Sequence, residues 1–169
     1  MAVNESPWPL LLPVLTGLLG GLIGMVTGAV LNAWLTTRRE RWNLKRDLYT
    51  RLLEHLGEAK HALDGLFETE TTMRPVGPNP VSEEWWKARR RTLMSKASKA
   101  ADKIRRATSV AAILLNAEAI EALKKLEAEW AKADAEPDPF DVFDQRLASV
   151  QRAYELVLAA ARADLRIGA

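Results

Sequence analysis

From Leu10 to Leu35 the chain runs for 26 residues without a charged side chain, and only Thr16, Thr27 and Asn32 add polar groups. A helix rising about 1.5 Å per residue makes this a rod of about 39 Å, enough to cross a hydrocarbon core of about 30 Å with some tilt. Trp8 and Trp34 bracket the run, and indole rings favour the two membrane–water interfaces. The stretch is expected to be one transmembrane helix. That leaves residues 1–9, a short lead holding Pro7 and Pro9, and residues 36–169, enough for one compact domain.

The apolar run carries five glycines, Gly17, Gly20, Gly21, Gly24 and Gly28. At about 100° per residue they fall within an arc of roughly 100°. A glycine stripe lets another helix backbone approach closely, which is how helices gain contacts in lipid. An oligomer contact through these five residues is expected. Leu18, Leu19, Leu22, Met25 and Val26 lie on the other side, suited to acyl chains.

Charge fixes the expected orientation. No lysine or arginine precedes residue 38, whereas Arg38, Arg39, Arg41, Lys45 and Arg46 crowd the segment after the span. Basic residues stay on the cytoplasmic side, so the N-terminus is placed outside and the C-terminal domain in the cytoplasm of a cell with an inner (plasma) membrane. The same cations suit anionic lipid headgroups. A cleaved signal peptide would need a basic n-region, and none exists.

After residue 36 alanine, leucine, glutamate, lysine and arginine dominate, which argues for helices. The fold expected is all-α: the transmembrane helix continues into a cytoplasmic antiparallel helical bundle or coiled-coil domain with helices over about 36–70, 83–114, 117–134 and 139–166. Trp42, Tyr49, Leu52, Leu53, Leu56, Ala59, Leu63, Leu66 and Phe67 repeat at three and four and define the first apolar face. Pro75, Gly77, Pro78 and Pro80 mark a loop, and Ser82 is the expected N-cap of the second helix. Asn116 suits a fresh cap, although one kinked helix over 83–134 fits the pattern nearly as well. Asp138 and Pro139 open the last helix, whose Phe143, Val150 and Val157 repeat by sevens, and Gly168 is expected to end it.

Chemistry-bearing patterns are few. The chain has no cysteine and two histidines, so neither a disulfide framework nor a thiolate metal site is available. Glu58 and His61 have the Glu-x-x-His spacing of di-iron bundles, but such sites need a second copy and two further glutamates. The pair lies opposite the Leu56 and Leu63 face and reads as solvated surface. No phosphate loop or nucleophile elbow appears, so no catalytic residue, metal or cofactor is expected.

Two charged regions remain. Residues 83–106 hold nine cations against three anions, and residues 118–144 hold nine anions against three lysines. Arg89, Lys96, Lys99, Lys103 and Arg106 share one arc and form a candidate stripe for an anionic partner. Nucleic acid is the least favoured partner, because the acidic half cancels the long-range field and no recognition motif occurs.

The glycine-rich span, the basic turn Thr37-Arg38-Arg39-Glu40-Arg41, the segment Asp47-Leu48-Tyr49-Thr50-Arg51-Leu52-Leu53 and the tail from Tyr154-Glu155-Leu156-Val157 to Arg162-Ala163-Asp164-Leu165 resemble small single-pass bacterial membrane proteins of uncharacterised function with a helical cytoplasmic domain. The resemblance implies an anchored helical body and brings no catalytic residue or partner. The function expected is a membrane-anchored, self-associating interaction or scaffold module without catalytic activity, with a homo-oligomer and a cytoplasmic protein as partners. The alternative is an oligomeric pore or membrane-disrupting effector built on the glycine-striped span.

Overall fold

The computed structural model of the chain describes residues 8–72 and 81–166, with side chains given for Met25 and for the residues from Gly28 onward within those ranges. The lead over residues 1–7, most of the loop over 73–80 and the expected stop at Gly168 lie outside the described residues. Four helices, and among the described residues no strand, make the protein all-α. They are α1 (Trp8–Thr71), α2 (Glu83–Leu114), α3 (Ala117–Ala133) and α4 (Pro139–Leu165). Residues 1–43 and residues 44–169 form two separate compact units. Among the described residues no helix is long and apolar enough to cross a membrane. The side chains of the run expected to do so, Leu10 to Leu35, lie mostly outside those described.

The helix ends follow local chemistry. α1 passes without a proline from residue 14 to Thr71. Near its end the Thr69, Thr71 and Thr72 hydroxyls add second hydrogen bonds to the carbonyls of Gly65, Phe67 and Glu68 at 2.6, 2.8 and 2.7 Å, and the Thr72 N–H donates to the Glu68 carbonyl at 2.9 Å. The Ser82 hydroxyl accepts from the Trp85 N–H at 3.2 Å and caps α2, with Glu83 and Glu84 at the positive end of its dipole. At Leu115 the backbone turns extended, and the Asn116 side chain accepts from the Ala119 N–H at 2.9 Å. Residues 83–133 are therefore two helices and not one kinked rod. Asp138 caps α4 through the Phe140 N–H at 2.9 Å, with Pro139 in the first turn where a missing donor costs nothing. α4 ends when Arg166 adopts the left-handed conformation, φ 53° and ψ 41°. The stop thus falls two residues before the glycine expected to provide it.

Within residues 44–169 the helices alternate in direction. Lys45 meets Asp164 and Phe67 meets Phe140, so α4 runs antiparallel to α1. Glu58 meets Lys103 and Glu70 meets Arg90, so α2 does as well. Glu129 meets Arg152 and Asp134 meets Arg146, which sets α3 antiparallel to α4. The core combines the face of α1 and the repeat of α4 read from the sequence, Tyr49, Leu52, Leu56, Ala59, Leu63 and Leu66 with Phe143, Val150 and Val157, and adds Leu93, Ala100, Ile104 and Ala111 from α2 and Leu123 and Leu126 from α3. Trp42, expected on this face, is instead 43% exposed and belongs to the first unit.

Candidate functional site

In the first unit the described part of α1 leaves its apolar side chains uncovered. Met25, Val30, Leu31, Trp34 and Leu35 are 75, 64, 58, 55 and 46% exposed. Thr36 and Thr37 turn their hydroxyls back onto the Asn32 and Ala33 carbonyls at 2.9 Å, so neither presents a free donor. A Cβ at Gly28 would meet nothing within 4 Å. The position is open to a neighbouring helix. The surroundings of Gly17, Gly20, Gly21 and Gly24 lie outside those described. The Arg38 guanidinium stacks over the Trp34 ring at 5.2 Å, while Arg39 and Arg41 are exposed and carry no ion pair among the described residues.

The cations that follow, in the second unit, behave differently. Lys45 donates to both Asp164 oxygens at 2.8 and 3.1 Å, and its side chain is only 31% exposed. The Tyr49 hydroxyl donates to the same carboxylate at 3.2 Å. Burial first, and the negative Asp164 next, push the Tyr49 phenol up to about 12. Lys45 therefore holds α1 to α4, a role its place in a basic run did not suggest. Arg46 lies 3.5 Å from Asp47 at the surface.

The candidate stripe on α2 divides in the same way. The Arg89 Nε donates to Thr69 Oγ1 at 3.3 Å, its guanidinium lies 3.8 Å from Glu68, and it stacks over Trp85 at 5.3 Å. Lys103 donates to Glu58 at 2.8 Å, and that hydrogen bond is the main reason the Glu58 carboxyl sits below its usual range. Lys96, Lys99 and Arg106 are exposed and make no ion pair among the described residues. Two of the five stripe residues thus tie α2 to α1, and three face outward.

Glu58 and His61 form no ligand set. Glu58 is shared between Lys103 and His55, the latter at 3.5 Å, and His61 is exposed. Among the described residues no three histidine or carboxylate side chains gather at metal-binding distance.

One cleft of about 400 Å³ opens between the four helices of the second unit. Leu63, Leu66 and Phe143 line its apolar part, with Trp130 and Met94 nearer the mouth. Its cations are matched: Arg105 lies 3.4 Å from Asp102, and Arg146 donates to Asp134 while its guanidinium sits 5.8 Å from the Trp130 ring. The Trp130 indole N–H and the Arg146 Nε are buried without an acceptor among the described residues. Ser98, Asp102, Glu127 and Asp134 also line it, and among the described residues no hydrogen bond joins the Ser98 hydroxyl to a carboxylate. No sequence pattern marks it, because its lining comes from four separate helices, with the small residues Ala97 and Ala101 contributed by α2.

Comparison with family models, with curated proteins and with solved structures finds no match to this chain.

Proposed function

We propose that this protein is a membrane-anchored, self-associating helical interaction module. Residues 10–35 anchor it, the glycine face of that helix meets a second copy, and the helices after residue 44 form the body that the anchor holds at the cytoplasmic face. The observation that carries the reading is that Met25, Val30, Leu31, Trp34 and Leu35 are about half or more exposed around the circumference of a helix whose preceding residues are uncharged back to Leu10. Scattered exposed apolar residues need no explanation, but large ones exposed on several sides of one uncharged helix call for a non-aqueous neighbour. Arg38, Arg39 and Arg41 directly after them match the charge placement at the cytoplasmic end of a span.

The test of assembly is the mass of the detergent-solubilised full chain together with crosslinking in membranes. A dimer or larger oligomer that dissociates when Gly20, Gly24 and Gly28 become leucine supports the reading. A strict monomer, unchanged by those substitutions, overturns the assembly part of it.

A further inference from the structure

The cleft between the four helices has the size of a small-ligand site, about 400 Å³, and lies wholly within residues 44–169. Its floor is apolar and buried, made by Ala59, Leu63 and Leu66 of α1 and Phe143 of α4. Ala97 and Ala101 of α2 and Ala131 of α3 stand along its walls, where larger side chains would fill it. Close-packed cores leave few gaps larger than a water molecule, so an open volume of this size against a buried floor is a place for an occupant.

The charges around the cleft indicate what that occupant carries. Arg105 and Arg146 stand against Asp102, Glu127 and Asp134, two cations against three anions. Arg105 pairs with Asp102 at 3.4 Å and Arg146 donates to Asp134, so both guanidinium charges are answered. Glu127 is half-buried and makes no ion pair or hydrogen bond among the described residues. A carboxylate on the wall of a partly desolvated cleft gains from a cation, because the attraction strengthens as water is excluded. The Trp130 indole N–H and the Arg146 Nε add a second requirement, since both are buried without an acceptor. The Arg146 charge is already matched, so these donors call for a neutral oxygen and not for another anion. Glu127 and Trp130 are three residues apart on one face of α3, and the Arg146 guanidinium lies 5.8 Å from the Trp130 ring. The polar groups therefore share one wall, beside the apolar floor.

We propose that the cleft binds a small apolar amine that carries a carbonyl group. The ammonium group meets Glu127, the carbonyl oxygen accepts from Trp130 and Arg146, and the apolar body lies on Leu63, Leu66 and Phe143. An anion would meet three carboxylates, and a hydrocarbon would leave Glu127 and both donors without partners. The site needs neither the anchor nor the glycine contact, and it adds a small-molecule ligand to the interactions proposed above.

The probe is phenylalaninamide, which has a phenyl ring, an ammonium group and an amide carbonyl. The full chain, in lipid nanodiscs with isotope-labelled tryptophan, is titrated with it while the indole N–H resonances are followed by NMR. Among the six tryptophans, Trp130 is the resonance lost in Trp130→Phe. Its signal is expected to move saturably, with a Kd in the millimolar range or below as suits about a dozen heavy atoms, while those of Trp34 and Trp42 stay. N-acetylphenylalaninamide, which lacks the charge, should bind about fivefold more weakly, and Glu127→Gln should remove that difference without weakening the neutral compound. Phenethylamine, which lacks the carbonyl, should also bind more weakly than phenylalaninamide. Ala97→Leu, which fills the cleft, should abolish the shift while circular dichroism keeps its helical signal. A Trp130 signal that stays fixed, or that moves together with those of Trp34 and Trp42, overturns the proposal. Tighter binding of phenylpropionate, a charge preference indifferent to Glu127→Gln, or equal binding of phenethylamine overturns it as well. Each of these results leaves the anchor, which flotation tests, untouched.

Discussion

Two glycines inside α1, Gly57 and Gly65, should respond in opposite directions to the same substitution. Alanine in a helix interior is favoured over glycine by about 1 kcal/mol, because glycine loses more backbone freedom on folding. At Gly57 a Cβ would meet nothing within 4 Å, so Gly57→Ala should gain most of that amount. At Gly65 it would stand 3.1 and 3.3 Å from the two Leu93 methyls, inside ordinary contact distance. Turning one methyl away brings the other closer, so Leu93 must shift as a whole or leave its rotamer. That costs about 1–3 kcal/mol in a packed site. Gly65→Ala should therefore destabilise by up to about 2 kcal/mol once the helix-propensity gain is set against it. The assay is thermal unfolding of the full chain in mild detergent, followed by circular dichroism. Gly57→Ala should raise the midpoint by about 3–5 °C and Gly65→Ala should lower it. In a Leu93→Ala background the obstruction is gone, and Gly65→Ala should become stabilising. Equal effects at the two positions, or a Gly65 effect indifferent to Leu93, would refute the packing argument.

Three further outcomes follow from the helix ends and the core. The Tyr49 phenol stays protonated up to about 12 in the folded protein but ionises near 10.0 in the unfolded chain, so its contribution is intact below pH 10 and is lost as pH rises toward 12. Between those limits wild type should lose up to about 3 kcal/mol relative to Tyr49→Phe in denaturant titrations, and parallel pH profiles would refute the assignment. Asp164→Ala removes the acceptor of both Lys45 and Tyr49 and should cost about 2–3 kcal/mol by chemical denaturation, with a loss under about 0.5 kcal/mol as the contrary result. Arg166→Gly relieves a left-handed residue that carries a Cβ and should stabilise by about 1 kcal/mol, whereas a lowered thermal midpoint would show that the arginine side chain supports the cap.

The apolar faces could be read from the sequence because burial on a helix imposes its own period. Leu52, Leu56, Ala59, Leu63 and Leu66 repeat at three and four, and only one side of α1 can satisfy that. The caps at Ser82, Asn116 and Asp138 were legible for a similar reason, since each is a local contact over two or three residues. Contacts between distant residues were not. Lys45 sits in a run of cations that looks like membrane-surface charge, yet its partner lies 119 residues away. Arg89 and Lys103 share a sequence arc with Lys96, Lys99 and Arg106, but only the position of α1 decides which cations find a carboxylate. Thr69 carries no such pattern, and it is fully buried with its hydroxyl on the Gly65 carbonyl and its own carbonyl accepting the Trp86 indole N–H at 3.2 Å. The left-handed turn went to Arg166, although Gly168 carried the stronger local signal; where the last core residue, Leu165, stops packing decided the site.

The most direct test of the account is flotation of the full-length chain with native membranes after extraction at alkaline pH. A chain anchored by residues 10–35 floats with the lipid, and arginine in place of Leu19 and Leu22 releases it. Recovery of the unmodified chain in the aqueous fraction would contradict the account at its root.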